Sequence, residues 1–465
     1  MIWIAALLGP PLVGVFLAGA GGHRWGRWSC LAVGWALLGT TIAAALRVAA
    51  LGTQAAGFFQ LDALSALFLL PVGILGAAAA TAVWRSDPQP RDRAFYALFP
   101  AFLTAMAAVA VAGNLIFLWV ALELTTVSGV LLVDHAGTRS SVEAAWKFVL
   151  LTGAGSLVSL LALGFLLGAA PVADPDWSAL LRQAPAMRPD LLAAAFLLAL
   201  VGFGAKIGLF PLHPWLPDAH SEAPAPVSAL LSGAELNLAV YALWRYLLLA
   251  RPVLGAFSGD LLLAAGLVSA GAGALMLLVS RDLKRLLAYS TLENMGVIVF
   301  GLGLGGLLGA GAALAQMLYH SLAKGSLFLS AGLITEEGGS RDLSALTGAL
   351  GRSPVAAAVL LLAGFAAAGS PPFGNFLGEL GILAAAFAAS PALAAALLAV
   401  LLLVFVGLIH RLTHLVFGPG APRRRRASPW PYAGALLAAA ALLAMSLHLP
   451  TSLLELLRQG ARLAG

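Results

Sequence analysis

The 465-residue sequence is 61% hydrophobic and 10% charged, with a mean hydropathy of +0.96, whereas a soluble globular chain carries about 25% charged residues. This composition excludes a water-soluble globular protein and implies a polytopic membrane protein. A single cysteine, Cys30, excludes an intrachain disulfide and a cysteine-ligated cluster. The net charge of +6 falls in short loops between apolar runs, where membrane topology accounts for it and nucleic acid does not.

Apolar windows of about 20 residues, enough to cross a bilayer, fall near 2–20, 29–50, 61–84, 95–112, 113–133, 143–168, 190–211, 225–248, 258–280, 284–304, 306–334, 353–388, 391–417 and 430–448. They predict an all-α fold of about fourteen transmembrane helices with both termini on one side. The first window lacks a preceding basic segment and many others follow it, so it is not read as a signal peptide. With both termini outside, most lysines and arginines fall on inner loops, among them Arg85, Arg91, Arg93, Arg139, Lys147, Arg281, Lys284, Arg285 and the arginine run 423–426.

Along the chain, Asp62 opens the third window, and Glu143 with Lys147, four residues apart, opens the sixth. These are expected to brace helix starts at the surface. Glu123 stands midway along the fifth window, in GNLIFLWVALELTTVSGVLL. The polar stretch 171–190 forms the long outer loop, with a short interfacial helix expected at 177–181. Lys206 lies inside the seventh window; a lysine near a bilayer centre costs roughly 2.5–3.5 kcal/mol, so it needs a partner or a hydrated cavity. Pro211, Pro214, Pro217, Pro224 and Pro226 follow and should break the helix just after it. Broken helices at membrane depth are confined to buried or cavity-lining places and often bind ions. That points to an ion path, with a lysine snorkelling from a helix end as the plainer alternative.

A lone carboxylate and a lone ammonium in apolar surroundings both favour their neutral forms; together, each favours the other's charge. Glu123 and Lys206 can therefore form a proton switch that releases on separation and rebinds on reunion, or a static buried pair joining two helices. In 315–332, His320 and Lys324 lie four residues apart on one helical face. An imidazole there either exchanges protons near neutral pH or is satisfied by one core hydrogen bond. A second broken helix is expected at 361–379, where Gly369, Pro371, Pro372 and Gly374 precede Glu379. Unpaired, Glu123, Lys206, Lys324 and Glu379 would together cost roughly 10–14 kcal/mol, so they must be paired or hydrated. His213, Asp218 and His220 have a spacing that suggests metal ligands, but no fourth ligand follows at a usual distance, and no metal site is expected.

Two proline-broken helices in corresponding places point to inverted repeats around a midplane path. The chain then divides into N-terminal helices at 1–94, a first five-helix repeat at 95–250, a second at 258–418, and a last helix and tail at 430–465.

The run from Lys206 to Gly233, K-x-G-x-F-P-L-H-x-W-L-P-D-A-H-x-x-A-P-x-P-V-S-A-L-L-S-G, resembles the signature of the antiporter-like, proton-conducting membrane subunits of respiratory complex I and its relatives. Within them, HSEAPAPVSALLSGAELNLAVYALWRY is most similar to the component F type of hydrogenase-4, found in group 4 nickel-iron hydrogenase complexes. The resemblance covers roughly the third to thirteenth windows and implies the same two repeats. It implies Glu123 and Lys206 as the functional pair, Lys324 with His320 at the centre of a polar axis, and Glu379 at the exit side. It also implies loop-bracing roles for His213, Asp218 and His220. Asp282, Lys284 and Arg285 resemble the family's loop into the tenth helix, where Glu293 and Asn294 stand near positions often held by histidine. One departure concerns the eighth helix: Asn237 aligns with a lysine of many relatives, so the link from Lys206 towards Lys324 must rely on water or on Glu235.

The function implied is proton or sodium translocation in the cell inner (plasma) membrane, with no redox centre or cofactor on this chain. The implied partners are other membrane subunits, a peripheral hydrogenase or complex I-like redox module, and the lipid bilayer. The alternatives are a subunit of a multisubunit cation/proton antiporter or inorganic-carbon uptake system, and a non-translocating anchor for a hydrogenase module. The chain stops soon after the fourteenth window, so the long lateral helix of the distal complex I subunit is not expected.

Overall fold

No water reaches the backbone inside a bilayer, so a spanning segment must satisfy its own N–H and C=O groups, and these apolar runs do so as helices. The computed structural model describes residues 2–20, 23–83, 91–420 and 429–463. Arg85 and the arginine run 423–426, expected as topology anchors, lie outside the described residues.

Helices α1 (Ile2–Ala20) and α2 (His23–Leu51) lead into a hairpin of β1 (Gln54–Ala56) and β2 (Phe59–Leu61), with Gln54 opposite Leu61. Asp62 caps α3 (Ala63–Ala82) by accepting the Ser65 N–H. Next come α4 (Asp92–Ala110), α5 (Leu115–Val133), whose cap Asn114 accepts the N–H groups of Ile116 and Phe117, and α6 (Arg139–Ala169), which opens with a Thr138–Ser141 capping box. The loop 171–190 holds α7 (Trp177–Gln183), matching the short helix expected there. Helix α8 (Pro189–Ile207) stops at the first break; α9 (Trp215–Glu222) follows it. Helix α10 (Ala225–Leu230) runs through a π-helical turn at Leu231–Glu235 into α11 (Leu236–Leu254).

The remainder comprises α12 (Ala256–Val279), α13 (Leu283–Leu304), α14 (Gly306–Gly338), α15 (Ala349–Arg352), the broken pair α16 (Pro354–Ala367) and α17 (Gly374–Ala389), α18 (Pro391–Phe417), α19 (Trp430–Leu447) and α20 (Thr451–Leu463). Among the described residues eleven helices are long and apolar enough to cross a membrane, against the roughly fourteen windows of the sequence. The difference lies in α1, in α14, which carries His320 and Lys324, and in the window split between α16 and α17. The chain is thus an all-α polytopic membrane protein, with one small hairpin among the described residues.

Burial separates two rings of helices. Helices α3, α11, α13 and most of α14 are enclosed, whereas α5, α6, α12 and α18 turn large apolar side chains outward, among them Leu157 at 68% and Val279 at 76% exposure. Glycine seams hold two antiparallel pairs together. On α6 and α8, a Cβ on Gly202 would lie 2.6 Å from the Ser159 nitrogen, and one on Gly155 would lie 2.8 Å from the Gly202 carbonyl oxygen. On α12 and α13, Gly259, Gly266 and Gly273, spaced by seven, meet Gly303, Gly296 and the backbone of Glu293 in turn.

One expectation about the surface fails. Asp62 is buried, and its carboxylate pairs with Arg245 of α11 at 2.8 Å, with side-chain exposures of 5% and 2%. Tyr241 and Trp177 complete the enclosure, the guanidinium lying 4.8 Å from each ring centre. The N-terminal cap is therefore also one half of an interior ion pair. Glu143 and Lys147, by contrast, do form an exposed pair, at 2.6 Å.

Candidate functional site

The first break builds the first part of the site. Gly208, at φ +79°, ends α8 in the left-handed region that favours glycine, and the proline-rich segment after it cannot continue the helix. Lys206 therefore lies in the last turn of α8, where exposed carbonyl groups favour a cation. It is 4% exposed and donates to the Leu122 carbonyl and the Thr126 hydroxyl of α5. Glu123 Oε1 is 3.7 Å from its Nζ, and the Glu123 carboxylate also accepts from the Ser156 hydroxyl of α6. The Trp215 indole closes the break by donating to the Ala205 carbonyl at 2.8 Å and stacking on Phe148, with 4.5 Å between ring centres.

The link to the second part passes through the π turn. A π turn inserts one residue into the α-helical register, and such turns are frequent at functional sites. Here both candidates for the link turn inward. Glu235 is 1% exposed, and one of its oxygens accepts from Thr125 at 3.1 Å. Asn237 donates to the Gly233 carbonyl at 3.0 Å and to the Ser321 hydroxyl of α14 at 2.8 Å. The hydroxyls of Ser232 and Thr291 meet at 2.8 Å beside it. The His320 ring is wholly buried against the Ser232 backbone, with neither nitrogen in a well-formed hydrogen bond among the described residues.

Lys324 is also wholly buried and is held by neutral oxygens, the Leu287 carbonyl at 3.1 Å and the Ser290 hydroxyl at 2.7 Å. From there a line of amides leads on. Asn294 donates to the Ser290 carbonyl at 3.2 Å and to Glu293 at 2.7 Å, Gln316 donates to Asn294 at 2.8 Å, and the same Gln316 nitrogen reaches Glu379 at 3.4 Å. The second break repeats the logic of the first: Gly369, at φ +67°, follows α16, and the Glu379 carboxylate folds over the position its Cβ would occupy.

The structure thus gathers Glu123 with Lys206, Glu235 with Thr125, Asn237 with Ser321, and Glu293 with Glu379 through Asn294 and Gln316. Sequence reasoning passed over Gln316, Ser156, Ser290, Ser321, Thr125 and Thr126. Gln316 carried a usable signal, since it stands four residues before His320 and eight before Lys324 on the same helical face. The loop motif divides by residue. Asp218 accepts from Lys147 at 2.8 Å and Arg285 at 2.5 Å. His213 instead stacks on Phe210, and His220, within α9, stacks on Phe328 at 4.8 Å with neither ring nitrogen hydrogen-bonded among the described residues.

Residues 112–404 match the family model described as NADH:quinone oxidoreductase/Mrp antiporter, TM. A hydrogenase-4 component F homolog from Methylacidiphilum infernorum is 37% identical over 377 residues, 78% of this chain and 79% of that protein. Hydrogenase-4 component B from Escherichia coli is 32% identical over 339 residues; the match takes in 69% of this chain and about half, 49%, of that protein. Among solved structures, a chain of respiratory complex I from Thermus thermophilus with bound NADH superposes with a TM-score of 0.86, at 27% identity and over 100% of both chains.

Proposed function

The chain belongs to the NADH:quinone oxidoreductase/Mrp antiporter transmembrane family, and from that premise we propose that it is the proton-translocating membrane subunit of a redox-driven complex of the hydrogenase-4 or NADH dehydrogenase type, sodium being the alternative ion. The observation that carries this reading is the line of polar groups from the half-buried Glu123 and buried Lys206, past Asn237 and Lys324, to Glu379. Isolated charges in such surroundings are costly, so their alignment on neighbouring helices supports a path. Lys206 and Glu123 act as the loading switch: together they hold a charge each, and separation of the two drives the lysine to release its proton. Lys324 receives the proton at the centre, with His320 as its neighbour, and Glu379 passes it to the exit side.

In this reading 95–250 and 258–418 are the two inverted repeats, 1–94 supplies the accessory helices and 430–465 the closing helix. The protein resides in the inner (plasma) membrane with both termini outside. Electron transfer belongs to a peripheral hydrogenase or complex I-like module, and this chain carries no cofactor of its own. Redox-driven proton uptake into sealed vesicles, measured on the assembled complex, tests the assignment. Lys206→Ala should abolish uptake at unchanged subunit content; undiminished uptake would remove the basis for the path.

A further inference from the structure

The two parts of the polar line meet where the π turn touches α14. A Cβ on Gly233 would lie 2.7 Å from the Ser321 carbonyl oxygen, so the two backbones come close enough for Asn237 to bridge them. One turn along α14 from Ser321, Gly325 directly follows Lys324. Into the notch between Gly233 and Gly325 projects a side chain from a third element, Leu75 of α3. It is completely buried, and its methyl carbons stand where the Cβ atoms of both glycines would be. The notch is therefore a fitted socket, open only because both its walls lack side chains.

Polar atoms near this crossing are incompletely satisfied. Asn237 Oδ1 and Glu235 Oε2 have no hydrogen-bond partner among the described residues. A buried water needs two to four polar partners and space for about one probe sphere, roughly 10–15 Å³. Partners are on hand at the crossing, whereas the space beside it is filled by hydrocarbon. Helix α3 itself packs on α10, the π turn and α14, and its N-terminal end is tied to α11 by Asp62 and Arg245.

We propose that Leu75 is a dry stopper on the crossing between the two halves of the path. Its isobutyl group keeps water from the Asn237–Ser321 contact, and proton passage from Glu235 towards Lys324 requires its displacement. This inference rests on the translocation reading above and extends it to a helix outside both repeats. Two substitutions act on the socket in opposite senses. Leu75→Ala vacates it, whereas Gly325→Ala adds a methyl whose three nearest neighbours are all Leu75 carbons.

The test uses the assembled complex in sealed vesicles, with two readouts: redox-driven proton uptake, and decay of an imposed pH gradient without reductant. Leu75→Ala should speed the decay several-fold. Gly325→Ala should slow uptake several-fold while the gradient holds, because Leu75 is wedged. The double variant should return both readouts towards the unaltered complex, and Leu75→Met, which refills the socket, should leave both unchanged at matched subunit content. A tight gradient in Leu75→Ala overturns the proposal, as does a double variant showing the sum of the two defects. Lys206→Ala, run in parallel, separates the two levels. Normal uptake there means the translocation reading has failed, while lost uptake there together with ordinary behaviour of every Leu75 and Gly325 variant means the stopper alone has failed.

Discussion

Lys206 and Lys324 are both buried within long helices, yet their surroundings differ in kind. Lys206 has a carboxylate 3.7 Å away on a neighbouring helix. Lys324 has none in ion-pair range among the described residues; a carbonyl and a hydroxyl hold it, and the nearest connected carboxylates are reached through Ser290, Asn294 and Gln316. A direct pair responds to separation, because moving the partners apart changes which protonation state is favoured. Neutral amides cannot ionise; they can only orient protons and waters. Under the translocation reading proposed above, the difference assigns switching to the first half and relaying to the second.

The largest effect that would break this contrast is expected at the pair. Glu123→Gln and Lys206→Ala should each reduce redox-driven proton uptake to background, and the double variant should be no worse, since residues acting as one unit are non-additive. Additive partial losses would reduce the pair to two independent contributors. A smaller but still severe loss is expected from Asn237→Leu, which removes the donor to Ser321; Asn237→Lys should be milder, because it restores an ionisable group. Comparison with Glu235→Gln identifies the bridge: if the glutamate carries the proton, its loss must hurt more than that of the amide.

In the second half, Gln316→Leu and Asn294→Leu should each slow uptake by about tenfold, equivalent to about 1.4 kcal/mol of barrier. Full activity in both would show that the amide line is structural, leaving Lys324 without a relay. The smallest effect is expected from Ser156→Ala. Glu123 keeps Lys206 at 3.7 Å when the serine's donor is lost, so the change should be worth about 0.5–1.5 kcal/mol, a few-fold in rate. A loss as deep as that of Glu123→Gln would instead make the serine part of the switch.

The contrast was only half legible in the sequence. Helix breaks are local events: Gly208, Pro211 and Pro214, or Gly369, Pro371 and Pro372, carry their own steric reason to stop a helix, and the chain does stop there. A charge inside an apolar run also announces itself, which is why Glu123, Lys206, Lys324 and Glu379 stood out. Asn294 and Gln316 did not announce a relay, because neutral amides cost little in a sequence profile and gain meaning only from neighbours on other helices. The π turn was likewise hidden, since the contacts of residues 231–235 with α3 and α14 join segments far apart in the chain. Asp62 misled for a related reason. Its sequence neighbourhood is that of a helix cap, which it is, while its ionic partner lies on a helix far along the chain.

The glycine seam between α12 and α13 has a mechanical consequence. At Gly259, Gly266 and Gly273 the facing backbone stands where a side chain would be, as close as 2.5 Å to an ideal Cβ at Gly266. Sliding one helix by a single residue would drive the neighbouring side chains into that backbone, and interiors packed to this density resist continuous deformation. The α6 and α8 seam constrains the helix bearing Lys206 in the same way. Each pair is therefore stiff in the manner of a laminated board. Within each of these pairs sliding is blocked, and the freedom that remains belongs to the side chains around the seam rather than to the backbones that form it.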